Sequence, residues 1–216
     1  MVVTMRTKSI DYVFALAVIV SAAYFIASRS GYHGAGAIAL KGACVGLLAV
    51  WAGCQARSLD GWLIAGVMAM GAAGDALLET SGLIAGAVAF LLGHAVAMVL
   101  YLRNRQANPL LAIPVALLVA LAAWWLPYAR GLAPGIGLYA LGLGAMAGTA
   151  LTSRFARDNV GIGALIFVAS DLLIFAEQGP LHGSAVPHLL IWPLYFTGQA
   201  AIAWGVVTVL RQEAAP

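Results

Sequence analysis

Long apolar stretches of about 20 residues fill most of this chain and limit what it can fold into. Only 9% of the 216 residues are charged and 63% are hydrophobic, whereas a soluble domain normally carries about 25% charged residues. The polar surface that a water-soluble globule needs is therefore missing. Because the stretches are long and do not alternate with polar residues, they predict an all-α polytopic membrane protein rather than a β-barrel.

Turn residues separate eight such stretches and leave no room for a soluble domain. The predicted helices cover residues 11–28, 35–55, 61–79, 82–103, 109–127, 133–153, 159–177 and 188–211. Arg6 and Lys8 precede the first stretch as in a signal peptide, but no cleavage site follows it, so we interpret it as a retained helix. The sequence thus predicts an eight-helix bundle forming one membrane domain over residues 1–216.

Basic residues collect on one side of the predicted bundle. With the N-terminus inside, the inner side holds Arg6, Lys8, Arg57, Arg103, Arg105, Arg154, Arg157 and Arg211. The outer side holds Arg29 and Arg130, and Lys41 is not counted because it falls within a helix. Since cytoplasmic loops carry the excess of Lys and Arg, both termini are predicted to be cytoplasmic. This bias explains the net charge of +3 without a nucleic-acid partner.

Acidic residues occur within these apolar stretches. Asp75 and Glu79 are four residues apart near the end of the third helix, so they share a face, and Asp171 lies in the seventh helix. An acid at the centre of a membrane helix costs about 2.5–3.5 kcal/mol on insertion scales and usually faces a bundle interior or a wet cavity. We therefore predict that Asp75 and Asp171 line one buried site.

Further polar residues are expected at a similar depth, in the outer half of the bilayer. They are Lys41 in helix 2, His94 in helix 4, and Tyr195 and Gln199 on one face of helix 8. A plainer explanation for these polar residues is that they form hydrogen bonds between helices. For Glu79 the plainer explanation is a position at the membrane–water interface. Lys41 either serves as a counter-ion for the acids or contacts a phosphate of the substrate. No His or Cys pair has metal-ligand spacing, so neither a metal nor a cofactor is expected.

Two carboxyls that share a site of low dielectric do not ionise equally, so one can donate a proton while the other accepts one from water. This chemistry suits hydrolysis of acid-labile bonds such as enol ethers, acetals or epoxides. It equally suits peptide hydrolysis and proton-coupled transport. The carboxyls alone do not choose among these functions.

Several short motifs, in this order along the chain, resemble one family. They are Lys41, Gly74-Asp75 with Leu77-Leu78, Phe90-Leu91-Leu92-Gly93-His94, Phe167-Val168-Ala169-Ser170-Asp171, and Tyr195-x-x-x-Gln199. Together they are similar to the YhhN/TMEM86 family of lysoplasmalogenases over almost the whole chain. Gly42 stands where that family typically has a proline after the lysine.

The resemblance implies a hydrolase that cleaves the vinyl ether bond of lysoplasmalogens, giving a fatty aldehyde and glycerophospho-ethanolamine or -choline. Asp75 and Asp171 would then be the catalytic acid and base, in an order that the sequence leaves open. The supporting residues would be Lys41, Glu79, His94, Tyr195 and Gln199. The expected partners are a lysophospholipid substrate and membrane lipids, and the expected location is the bacterial inner membrane.

Three other classes of function compete with this interpretation. A proton-coupled transporter of small molecules or lipids would use the same buried acids, and Pro193 inside helix 8 is its main support. An intramembrane aspartyl protease is disfavoured, because the residues before Asp75 and Asp171 match neither of the motifs that such proteases use. A non-catalytic lipid-binding protein would not need polar residues from five helices at one depth.

Overall fold

The computed structural model describes residues 2–155 and 157–214, with side chains from 11 to 155 and from 159 to 214. Its helices are α1 Val2–Arg29, α2 Ala35–Gln55, α3 Leu59–Thr80, α4 Leu83–Arg103, α5 Ala112–Trp125, α6 Ala133–Thr152, α7 Ile162–Glu177 and α8 Ala185–Glu213. A 3-10 turn, Pro109–Leu111, precedes α5, and a π-helical turn, Arg157–Gly161, precedes α7. The side chains of Arg6, Lys8 and Arg157, which entered the predicted charge bias, lie outside the described ones.

Seven of the helices in the described part of the chain are long and apolar enough to cross a membrane. The exception is the segment Pro109–Trp125, which is apolar but shorter. These lengths and compositions are those of an all-helical integral membrane protein, as the sequence predicts. The count of eight spans and the cytoplasmic position of both termini stay predictions.

Local chemistry sets the ends of several helices. Ser58 caps α3, since its hydroxyl accepts a hydrogen bond from the backbone amide of Gly61 at 3.3 Å, and α3 therefore begins two residues before the predicted start. Only Ser81 and Gly82 separate α3 from α4, and Gly82 has φ +89°, a conformation that residues with a Cβ rarely adopt. Asn108 accepts a hydrogen bond from the Leu110 amide at 3.0 Å, which starts the turn before α5.

The described chain forms two compact units, residues 2–96 with 210–214, and residues 97–209. In the first unit α2 packs against both α1 and α3. A Cβ added at Gly42 would lie 3.7 Å from the carbonyl oxygen of Ala72, an ordinary contact distance, so a small side chain fits there. Phe90 of α4 covers Gly74 of α3 and fixes the approach of these two helices.

Helices α5 and α6 approach each other closely in the second unit. A Cβ added at Gly148 would lie 2.6 Å from the Cα of Ala112, and one added at Gly144 would lie 2.8 Å from the Cα of Ala116. The two alanines on α5 are four residues apart, and so are the two glycines on α6. These small residues let the two backbones meet, as they do in other pairs of membrane helices.

Two loops meet at one end of the second unit. The backbone oxygen of Asn104 accepts a hydrogen bond from the Arg154 amide at 2.7 Å, and the Asn104 side-chain oxygen accepts one from the Arg154 guanidinium at 2.5 Å. The amide of Gln106 donates to the carbonyl of Thr152 at 2.9 Å. These bonds join the α4–α5 connection to the end of α6.

Replacing Gly148 with Ala should destabilise the protein by about 1–3 kcal/mol, because the new methyl group would collide with the backbone of α5. Gly42→Ala is the matched control, since its methyl group meets only ordinary contacts. Thermal unfolding in detergent measures the stability of both variants. Equal stability of the two variants would contradict the packing described for α5 and α6.

Candidate functional site

An ion pair joins α2 to α3 in the first unit. The ammonium nitrogen of Lys41 lies 2.7 Å from Oε1 of Glu79. The Lys41 side chain is 14% exposed and that of Glu79 is 46% exposed, so the carboxylate lies on the more accessible side of the pair. Four residues before Glu79, Asp75 is only 3% exposed. Polar groups on this face of α3 therefore range from buried to accessible within one helical turn.

The charge of Lys41 reaches beyond Glu79. Asp75 and Tyr24 also lie close enough to interact with it electrostatically. Tyr24, on α1, is half-buried and interacts with Asp75 and Glu79 as well as with Lys41. The first unit thus brings together three residues that the sequence analysis singled out, Lys41, Asp75 and Glu79, and adds Tyr24.

His94 is buried in α4, with 3% of its surface exposed. Its Nδ1 atom lies 3.2 Å from the backbone oxygen of Phe90, one turn earlier. Phe90 in turn covers Gly74, the neighbour of Asp75 in the sequence. The helix face that carries His94 is therefore packed against α3 near Asp75.

Asp171 is buried in α7, with 5% of its surface exposed. The Tyr139 hydroxyl donates a hydrogen bond to its Oδ2 atom at 2.8 Å. The ring of Tyr139 also meets Phe175 edge to face, with centroids 6.1 Å apart. The contact with Phe175, one turn after Asp171, fixes the tyrosine so that its hydroxyl meets the carboxylate.

Helix α8 carries the other two residues singled out in the second unit. Tyr195 is 6% exposed, and its ring lies 5.5 Å from that of Phe167, one turn before Asp171. Gln199, one turn after Tyr195, is 3% exposed. Ser170 ties the two helices together, since its hydroxyl donates to the backbone oxygen of Ile191 at 2.8 Å.

The sequence analysis missed two tyrosines, Tyr24 and Tyr139. Each lies near the predicted outer end of its helix, the depth expected for the acids. That shared depth was the available signal, and tyrosines there are easily attributed to the membrane interface. Asp75 and Asp171 belong to different units, so their meeting in one cavity stays a prediction.

The two aspartates have different polar neighbours: an ammonium group near Asp75 and a phenol hydroxyl on Asp171. A general acid and a general base need such unequal surroundings to hold their protons differently. Among the described side chains, no three His, Cys, Asp or Glu residues come together as metal ligands would.

Comparison with known proteins adds one finding. No curated protein and no solved structure matches the chain. The model of the YhhN family matches residues 36–206, which run from the start of α2 into the last third of α8 and leave out α1. Because this match covers most of the chain, the protein belongs to the YhhN family.

Proposed function

We propose that this protein is a membrane hydrolase that cleaves the vinyl ether bond of lysoplasmalogens. The products are a fatty aldehyde and glycerophospho-ethanolamine or glycerophospho-choline. Membership of the YhhN family suggests this class of activity. The structural observation that carries the proposal is the burial of one aspartate in each unit, Asp75 and Asp171, each with a polar neighbour.

The proposed reaction uses one aspartate as acid and the other as base. The acid protonates the alkenyl carbon farther from the ether oxygen. The double-bond electrons form the new C–H bond, and a lone pair of the ether oxygen stabilises the resulting cation as an oxocarbenium ion. The ionised carboxylate stabilises this cation and takes a proton from the water that attacks it. The resulting hemiacetal breaks its bond to the glycerol oxygen, which leaves with a proton, and the aldehyde remains. One water is consumed and no redox step occurs.

The supporting residues would orient water and substrate. His94, Tyr195 and Gln199 carry polar atoms on buried side chains. Tyr139 would hold the Asp171 carboxylate in one orientation through its 2.8 Å bond. The alkenyl chain would lie among the apolar helices, reached directly from the bilayer.

We further propose eight spans, with both termini in the cytoplasm and the site in the outer half of a bacterial inner membrane. The excess of basic residues in the predicted inner loops supports this orientation. A proton-coupled transporter remains the alternative. Helix α8 contains Pro193, which suits a broken helix, and solute flux in liposomes without aldehyde release would favour transport.

Replacing Asp75 or Asp171 with Asn should lower the rate of aldehyde release by at least about 100-fold, because each change removes a proton donor or acceptor and keeps the shape. Asp60→Asn, in the first turn of α3, is the matched control and should retain the wild-type rate. The measurement is free aldehyde from a vinyl-ether lysolipid. A folded Asp75→Asn or Asp171→Asn protein with the wild-type rate would refute the assigned roles.

Cysteines placed at 75 and 171, in a chain whose Cys44 and Cys54 are replaced by Ala, should be joined by a short bifunctional thiol reagent. The linkage is detected by cleaving a protease site inserted at Gln106, after which a linked chain stays in one piece. A control pair places cysteines at 75 and 122, the second being a residue of α5 outside the proposed site. Equal linkage of the two pairs, or none at 75 and 171, would contradict a shared site.

Phosphatase reporters on either side of α5 should decide the number of spans. We expect a reporter fused after Gln106 to be inactive in the cytoplasm and one fused after Arg130 to be active outside. A reporter at the C-terminus should be inactive. An active C-terminal reporter, with the N-terminus inside, would mean an odd number of spans and would overturn the proposed topology.

A further inference from the structure

The ion pair between Lys41 and Glu79 lies between the buried Asp75 and the accessible end of α3. We propose that Glu79 holds the ammonium group of Lys41 when the site is empty, and that the phosphate of a lysophospholipid displaces Glu79 from it. This inference rests on the proposed function and assigns Lys41 to recognition of the headgroup. It also makes Glu79 the internal competitor of the substrate.

The exposure of the two partners supports displacement. Glu79 is 46% exposed, so its carboxylate can turn into water, whereas Lys41 is 14% exposed and stays beneath it. Ion pairs with one solvated partner contribute little net stability, and a second anion can replace that partner. Deeper in the helix, Asp75 is 3% exposed and has no such freedom.

The chemistry of Lys41 supports the choice of ligand. An ammonium group binds phosphate as a compact point charge with three donors. A carboxylate and a phosphodiester both offer anionic oxygens to those donors, so they compete for the same position 2.7 Å from the nitrogen. The phenol group of Tyr24 also interacts electrostatically with both Lys41 and Glu79.

The spacing along α3 supports the placement of the reacting bond. Asp75 and Glu79 are four residues apart, which corresponds to a rise of about 6 Å along a helix. That rise is comparable with the three-carbon glycerol backbone between the phosphate and the vinyl ether. A phosphate at the level of Glu79 therefore places the vinyl ether near the level of Asp75.

The test measures binding of two lipids that the protein cannot hydrolyse. One is a 1-alkyl lysoglycerophosphoethanolamine, whose ether is saturated, and the other is the matching 1-alkylglycerol without phosphate. Glu79→Gln should tighten binding of the phospholipid about fivefold and leave the alkylglycerol unchanged. Lys41→Gln should remove the preference for the phospholipid, with or without Glu79→Gln. Soluble glycerophosphoethanolamine and inorganic phosphate, added as competitors, show whether the headgroup alone is recognised.

Glu177→Gln is the matched control. Glu177 is also a partly exposed acid at a helix end, but its partner is His188 at 3.4 Å, so its replacement should change neither affinity. Equal effects of Glu79→Gln on both lipids, or no effect on either, would overturn the proposal. Thermal unfolding of each variant separates loss of binding from loss of fold.

Failure of the proposed function would look different. The wild-type protein would then release no aldehyde from a vinyl-ether lysolipid, while the binding pattern of the two saturated lipids stayed as described. If the protein is the proposed hydrolase and Lys41 also binds the headgroup, Glu79→Gln should lower the KM for the vinyl-ether substrate and change kcat little, since only binding of the headgroup is altered.

Discussion

The requirement that polar groups buried in hydrocarbon find partners within the protein governs the arrangement of this chain. Lys41 has the carboxylate of Glu79, Asp171 has the hydroxyl of Tyr139, and Ser170 has a backbone oxygen of α8. Each of these contacts joins two helices. The side chains that are most costly to bury therefore also fix which helices are neighbours.

Short contacts of this kind need helices that approach closely, and small residues allow it. Gly74 precedes Asp75 directly and lets the ring of Phe90 on α4 lie against α3, where an added Cβ would come within 2.7 Å of that ring. In the second unit Gly163 and Gly198 bring α7 and α8 together beside Tyr195 and Gln199. The glycines thus determine whether the polar side chains can reach each other.

Much of the fold followed from the sequence because apolar length and turn residues are local signals. Both bounds of α2, at Ala35 and Gln55, agree with the prediction, and the apolar span Asn159–Glu177 does as well. The end of α5 was predicted two residues late, at 127. Pro127 has no backbone amide hydrogen with which to continue the helical hydrogen bonds, and α5 ends at Trp125.

The site was predictable only in part, for a related reason. The shared face of Asp75 and Glu79 follows from helical spacing. The partners of the acids come from other helices, and no local pattern says that Tyr139 reaches Asp171 or that Tyr24 reaches Lys41. Such pairings depend on how helices pack, which periodicity alone does not specify.

The short fifth helix has a consequence for the surrounding lipid. The 17 residues of Pro109–Trp125 extend roughly 25 Å, whereas the hydrocarbon core of a typical bilayer is about 30 Å thick. A span that falls short is accommodated by local thinning of the bilayer, at a fraction of a kcal/mol for each Å. If α5 crosses the membrane, a change in the acyl-chain length of the surrounding lipids affects this short helix before it affects the longer ones.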